Sequence, residues 1–401
     1  MPDTAPHLRI ELFPAADGDA LLLQFRDATS TINILVDGGP RRTFANSLEA
    51  RLHQLHSEGQ ALAAVIVTHI DTDHIGGILA LLKENGPAVS PRVIRIDDVW
   101  HNGYRHLALP GRSPTQSEKL RVLSQTFASE DSPTDDISVR EADTLAALIT
   151  AYGYAWNGAY GGRAIVAGDT VSLANTIRTT VLSPNTEALE RLAYQWRQSL
   201  LEMGVSHEAV DCPAFAHAFE ANLLSAPDAL DLEATISAAD MIEPPPPDTF
   251  VEDTSPTNGS SMAFLMEWRH LRLLLLGDSW PSVVESTLKT SVTDHRAFDV
   301  VKVSHHGSRH NTSPSLSELA ASRRYIVSTD GSKHALPNIE SMLWLAAKSV
   351  PNAAFIFNYN TATATWMADE RLTRRYGHHT TIGDGVRSIA ITVAEGIPDG
   401  T

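Results

Sequence analysis

The chain has 401 residues, a formal net charge of −17, 43% hydrophobic and 20% charged residues, and a single cysteine, Cys212. These values fit a globular α/β chain with a large core and room for insertions. The acidic balance disfavours long nucleic acid except at a local basic or metal-lined cleft, and one cysteine allows no disulfide within the chain. The first residues lack a basic stretch followed by an apolar one, and no run reaches the roughly 18 apolar residues of a membrane span. The expectation is a cytoplasmic protein with no membrane partner.

HLRIELFPA and DALLLQFRD read as strands around an Asp-Gly turn, and TINILVDGGP as a third strand ending in Asp37-Gly38-Gly39. FANSLEARLHQLHSEG has helical spacing, with Leu48, Leu52 and Leu55 on one face. LAAVIVTHI is a buried strand, GGILALLKENG a helix ended by glycine, and RVIRIDDVWHNG the next strand. Residues 113–150 are polar with helical patches, and TVSLANTIRTTVLSP returns to a strand pattern. Residues 185–255 read as an insertion, helical at first and then proline-rich (EPPPPDTFVEDTSPTNG), an extended linker or loop. Beyond it, SSMAFLMEW and LRLLLLGDSW form a hairpin. VVKVSHHGSRH and SRRYIVSTDGSKH are each strand then loop, and AAFIFNYN and VRSIAITV are closing strands.

His69, Asp71, Asp73 and His74 fall within six residues, at the exit of the apolar run Val65-Ile66-Val67 and before Gly76-Gly77. Charged groups at such a place need partners, because removing an ion from water costs several kcal/mol. A metal is the natural partner. Residues two apart on an extended loop point the same way, so His69 and Asp71 can share one cation, and Asp73 with His74 can grip a second. The competing reading, a solvated turn with a capping aspartate, does not need this density of metal-ligand types.

THIDTDHIGG resembles the His-x-His/Asp-x-Asp-His signature of the metallo-β-lactamase fold hydrolases. The aspartate at its second ligand position is similar to the branch related to the soluble domain of the competence protein ComEC. DGDALLLQF with INILVDGG, SSMAFLMEWRHLRLLLLGDSW and DVVKVSHHGSRHNTS resemble further segments of that branch, in the same order. The resemblance covers roughly residues 1–110 and 255–395 and leaves out the insertion. It implies an αββα four-layer sandwich, a single domain over residues 1–401, with two divalent metal ions. It places Asp37 as a buried supporting carboxylate and Asp278 as the bridging ligand. His305 or His306 reaches the metal centre, and the other orients substrate or protonates the leaving group. Asp73, His305 and His306 make up the catalytic set.

Two positions depart from the pattern. Relatives end the segment near residue 336 with a histidine directly before proline; here Leu336 stands there and His334 lies two residues earlier. Either His334 takes the ligand role by a local shift, or that ligand is absent. A histidine expected between the first motif and Asp278 has His101 as its candidate. Imidazole suits zinc, whereas carboxylate-rich sites suit manganese or magnesium, so zinc and manganese both stay open.

The resemblance leans toward phosphodiester hydrolysis, by a phosphodiesterase or nuclease using a metal-activated water. The alternatives are a small-molecule ester, lactone or amide hydrolase, separated by a substrate panel, and a non-catalytic partner-binding module, separated by metal content. Nucleic acid, a protein partner and a second copy of the chain all stay open as partners. Tyr194, Trp196 and Trp268 read as packing residues, and the basic run RLTRRYGHH as a solvated face.

Overall fold

The computed structural model describes residues 5–107, 144–202, 241–294 and 296–394. The chain opens with β1 (His7–Leu12), β2 (Leu21–Arg26), β3 (Thr31–Val36), β4 (Leu62–Ile66) and the short β5 (Val99–Trp100). A second set follows: β6 (Thr170–Leu173), β7 (Ile177–Ser183), β8 (Ala263–Trp268), β9 (Leu271–Leu275), β10 (Val300–Lys302), β11 (Arg324–Val327), β12 (Ala354–Phe357) and β13 (His379–Ile382). The last strand, β14 (Ile389–Ala394), returns to pair antiparallel with β1. The strands form a six-stranded sheet, ordered β14-β1-β2-β3-β4-β5, and an eight-stranded sheet, ordered β13 down to β6. Both sheets mix parallel and antiparallel pairs.

The side chains explain the layering. Successive residues of a strand face opposite sides, and the central strands here are buried on both. Leu21 and Leu23 of β2 join Ile34, Val36, Phe264, Leu273 and Val300 in a core between the sheets. Leu22, between them, faces outward with Leu35 onto Leu52, Ile78 and Leu148. Those three belong to α1 (Glu49–Ser57), α2 (Thr72–Asn85) and α3 (Leu145–Tyr152). The second sheet has its own outer core, where Leu274, Val301 and Phe355 meet Val284, Leu316, Leu343 and Leu372. The result is the four-layer αββα sandwich expected from the sequence.

Several local expectations change. Helix α2 starts at Thr72 rather than at the glycines, so Asp71 is its N-cap residue and Asp73 and His74 sit in its first turn. The glycines serve close approach: a Cβ on Gly77 would lie 2.0 Å from the carbonyl oxygen of Gly38. That packs the helix start against the loop after β3. The segment read as the strand RVIRIDDVWHNG is strand only at Val99–Trp100. Asp98 is the reason, because its buried carboxylate accepts the Trp100 indole and the Gly158 and Ala159 amides, bracing a loop instead of extending a ladder. Strand β13 carries no apolar alternation and was not expected; it adds in parallel to β12.

The segment read as an insertion begins with α4 (Thr186–Glu202). Its residues 203–240, the Trp196 side chain and residues 113–143 of the polar stretch lie outside the described residues. The proline-rich part is not a free linker. Trp344, Trp366 and Tyr376 donate side-chain hydrogen bonds to the carbonyls of Pro245, Met241 and Ile242. Among the described residues, no helix is long and apolar enough to cross a membrane.

One ion pair ties the two sheets together beside the site. Lys302, at the end of β10, lies 2.6 Å from Asp19, in the turn between β1 and β2, and both side chains are buried. Burial opposes the Asp19 charge, but nearby positive charge overcomes it and holds the carboxyl down at about 2, with Lys302 the largest such influence and His306 next. Removing one partner strands a buried charge, which costs about 3–5 kcal/mol. Lys302→Met is therefore expected to destabilise the fold by roughly that amount in urea denaturation. An unchanged midpoint would show that the pair contributes nothing to stability.

Candidate metal centre

The parallel strands of both sheets end at one edge, where loops after β3, β4, β9 and β10 converge. Ligand sites of α/β sheets form beyond the carboxyl ends of strands. Asp37 follows β3, His69 follows β4, Asp278 follows β9, and His305 and His306 follow β10. Helix α2 adds Asp71, Asp73 and His74 at its first turn.

Asp278 lies at the centre. Its Oδ2 is 3.4 Å from His74 Nε2, 3.7 Å from His69 Nε2 and from His306 Nε2, and 3.8 Å from His305 Nε2. Asp71 Oδ2 lies 3.4 Å from His69 Nε2. On the other side Asp73 Oδ2 lies 3.4 Å from His306 Nε2 and 3.7 Å from His74 Nε2. Among the described residues the donor atoms group as His69, His74 and Asp278 and as Asp73, His74 and His306; Asp71 reaches His69 from the side, and Asp278 Oδ2 lies against both groups.

Each buried imidazole is oriented from behind. His74 Nδ1 donates to Asp37 Oδ2 at 2.9 Å, and His306 Nδ1 donates to the Ser328 carbonyl at 2.8 Å. His69 Nδ1 lies 3.0 Å from the Thr68 hydroxyl, which itself donates to Asp37 Oδ2 at 2.7 Å. Asp37 also accepts the Thr68 amide, so one carboxylate fixes both the loop that carries His69 and the helix turn that carries His74. With Nδ1 engaged, Nε2 of each ring faces the shared space. The Nε2 atoms of His69, His74 and His306 and Oδ1 of Asp278 are buried with no hydrogen-bond partner among the described residues. Buried polar atoms are rarely left so, and converging imidazole and carboxylate donors are what a divalent cation requires. The donor set fits a metal.

The electrostatics agree. Burial opposes charge on every group here, yet neighbouring opposite charges override it. Asp278 is held well below the usual carboxylate range by the surrounding imidazoles, with His74 the strongest influence. Burial also opposes the His306 imidazolium, but Asp278 and Asp19 raise it to about 10. His74 is likewise raised well above its ordinary value by Asp278, Asp73 and Asp37. The carboxylates therefore favour positive charge at this centre.

The two adjacent histidines take different places. Both, with Gly307, have positive φ: 43° at His305, 54° at His306 and 86° at Gly307. Side chains disfavour this left-handed conformation by about 1–2 kcal/mol per residue. The turn sends the rings apart, burying His306 among the donors and leaving His305 a quarter exposed at the rim. His334 is exposed and belongs to none of the donor groups among the described residues. His101 is buried one residue beyond β5, its ring parallel to Trp156 at 6.1 Å, and it too lies outside those groups.

Sequence reasoning missed the supporting residues. Asp19, Lys302, Ser261, Asn311 and Asp253 all brace the centre. A lysine within VVKVS was the readable signal of a buried partner. Nothing in the sequence pattern pointed to Asp253.

The family model of the metallo-β-lactamase superfamily matches residues 17–251, more than half of the chain. The chain belongs to that superfamily, whose members are generally metal-dependent hydrolases. A search of curated proteins finds no match. Among solved structures it is similar to a protein from Parabacteroides distasonis ATCC 8503 provisionally assigned as a metal-dependent hydrolase (10% identity, 94% of each chain, TM-score 0.34). It is also similar to Zn(2+)-bound PqqB from Methylobacterium extorquens (11% identity, 94% of this chain and 86% of that one, TM-score 0.35). A third is a point mutant of the CmlA β-hydroxylase (10% identity, 98% of this chain and 54% of that one, TM-score 0.37). Scores at this level carry no inference about the substrate.

Metal and protons compete for the same ring nitrogens. Because the His306 ring holds its proton up to about 10, binding of zinc or manganese at neutral pH is expected to release protons, and affinity should weaken as pH falls. Isothermal titration in buffers of different ionisation enthalpy measures this. A buffer-independent binding enthalpy would contradict it.

Proposed function

We propose that this protein is a metal-dependent phosphodiesterase or nuclease of the ComEC-related branch, holding zinc or manganese at two adjoining positions. The observation that carries the reading is the pair of donor sets around Asp278, with three Nε2 atoms turned toward it that have no hydrogen-bond partner among the described residues. His69, Asp71 and Asp278 would hold one ion; Asp73, His74, His306 and Asp278 would hold the other. Divalent cations there would supply Lewis acidity and acidify water to near-neutral pKa, and a cation pair suits in-line displacement at phosphorus.

The chain's own residues do the rest. Asp37 keeps the His69 loop and the first turn of α2, with His74, in register with each other. His306, buried and hydrogen-bonded to Ser328, serves as a ligand. His305, more exposed and facing Asp278, is placed to exchange a proton with the reacting groups or the leaving oxygen. The donor set is rich in carboxylates, which admits manganese as well as zinc. Asp253, near the end of the proline-rich stretch, reaches the site through Asn311.

The test is hydrolysis of a chromogenic phosphodiester by the zinc- or manganese-loaded protein, beside a panel of esters, lactones and amides. Metal-dependent phosphodiester turnover is expected, falling by about 100-fold or more in Asp73→Ala. Turnover of the panel with none of the phosphodiester, in protein that retains metal, would replace this reading with the small-molecule one.

A further inference from the structure

The proline-rich segment ends at Asp253, and Asp253 arrives firmly held. Besides the three tryptophan and tyrosine hydrogen bonds upstream, Glu252 accepts the Ser282 amide, and the Asp253 amide donates to the His310 carbonyl at 3.1 Å. His310 Nδ1 in turn donates to the Val251 carbonyl at 2.7 Å. The carboxylate then turns inward. Its Oδ2 accepts from Asn258 Nδ2 at 2.7 Å and from Asn311 Nδ2 at 3.0 Å.

The Asn311 amide is thereby oriented without ambiguity. Its nitrogen also donates to the Asp278 carbonyl at 3.1 Å. A carboxylate and a carbonyl can only accept, so the amino group faces both and Oδ1 faces the other way. That oxygen lies 2.8 Å from His305 Nδ1. An amide oxygen cannot donate, so the proton sits on Nδ1. The Asn258 amino group is 3.4 Å from the same Nδ1, but the 2.8 Å contact with Asn311 Oδ1 is much the shorter and decides the tautomer. Nε2 of His305 is left as the ring atom that faces Asp278, at 3.8 Å from Oδ2.

We propose that Asp253 is a positioning residue of this centre: through Asn311 it fixes His305 as the Nδ1–H tautomer and keeps the Nε2 acceptor turned toward the reacting groups. The proline-rich end of the segment read as an insertion therefore completes the site. The tautomer follows from the hydrogen-bond geometry alone; its effect on turnover rests on the hydrolase reading above. Replacing the carboxylate by an amide lets Asn311 turn over, present its amino group to Nδ1 and drive the ring proton to Nε2.

The experiment is long-range proton–nitrogen NMR of the zinc-loaded protein, with the His305 ring assigned by its loss in His305→Gln. The wild type should show the Nδ1–H tautomer. Asp253→Asn should populate the Nε2–H form, and Asp253→Glu, which keeps a carboxylate, should restore part of the original. Asn311→Ala removes the acceptor directly, leaves the proline-rich segment in place and should give the same shift even if Asp253→Asn folds poorly. On a phosphodiester, Asp253→Asn should lower kcat by about 10–100-fold with KM and metal content little changed. An unchanged His305 tautomer in folded Asp253→Asn and Asn311→Ala would overturn the proposal. A shifted tautomer in a protein that hydrolyses no phosphodiester would uphold it and overturn the substrate reading instead.

Discussion

A fully buried carboxylate has to be neutralised, and the architecture around Asp278 is organised to do so. Its Oδ2 is within 3.8 Å of four imidazole nitrogens drawn from two chain segments, residues 69–74 and 305–306. A lone charge at that depth would cost several kcal/mol, so the fold is stable only with compensating charge in place. Ring protons or metal ions can provide it, and at a candidate metal centre the two compete for the same nitrogens. The left-handed turn at His305, His306 and Gly307 follows from the same need. An extended chain would send adjacent side chains to opposite faces; the turn lets one histidine go inward and keeps the other at the rim.

The supporting groups form a shell that links both sheets. Asp37 joins the exit of β3 to the exit of β4 through Thr68 and His74. Asp19 and Lys302 join the first sheet to the second, and Asp19 lies 3.6 Å from His306 Nδ1. Asn311 joins the loop after β10 to Asp278 and to the proline-rich segment. Partners of this kind fix tautomers and ring directions and set the basicity of the ligands. Much of the centre's specificity therefore lies one residue removed from the donors.

Local pattern made a large part of this legible. Strands buried on both faces read as unbroken apolar runs, and the His69–His74 cluster stood out because charge at the end of such a run needs a partner. Helix starts were harder, since Gly76 and Gly77 look like a boundary but serve to let α2 approach the Gly38–Arg41 backbone. The choice between His305 and His306 could not be made from neighbours on a chain; it depends on backbone turns that sequence spacing does not encode. His334, two residues from the expected place, is exposed. Asp253 was invisible because its contacts with Asn311 and His305 span more than fifty residues of chain, and an aspartate in a proline-rich loop carries no signature of its own.

The central claim is that the imidazoles around Asp278 hold divalent metal. The most direct measurement is elemental analysis of the purified protein after loading with zinc or manganese and exhaustive removal of free ion, beside Asp278→Ala. The expected result is tightly retained metal in the wild type and its loss in the variant. A folded wild-type protein that retains none, or a variant that retains as much, would contradict the claim.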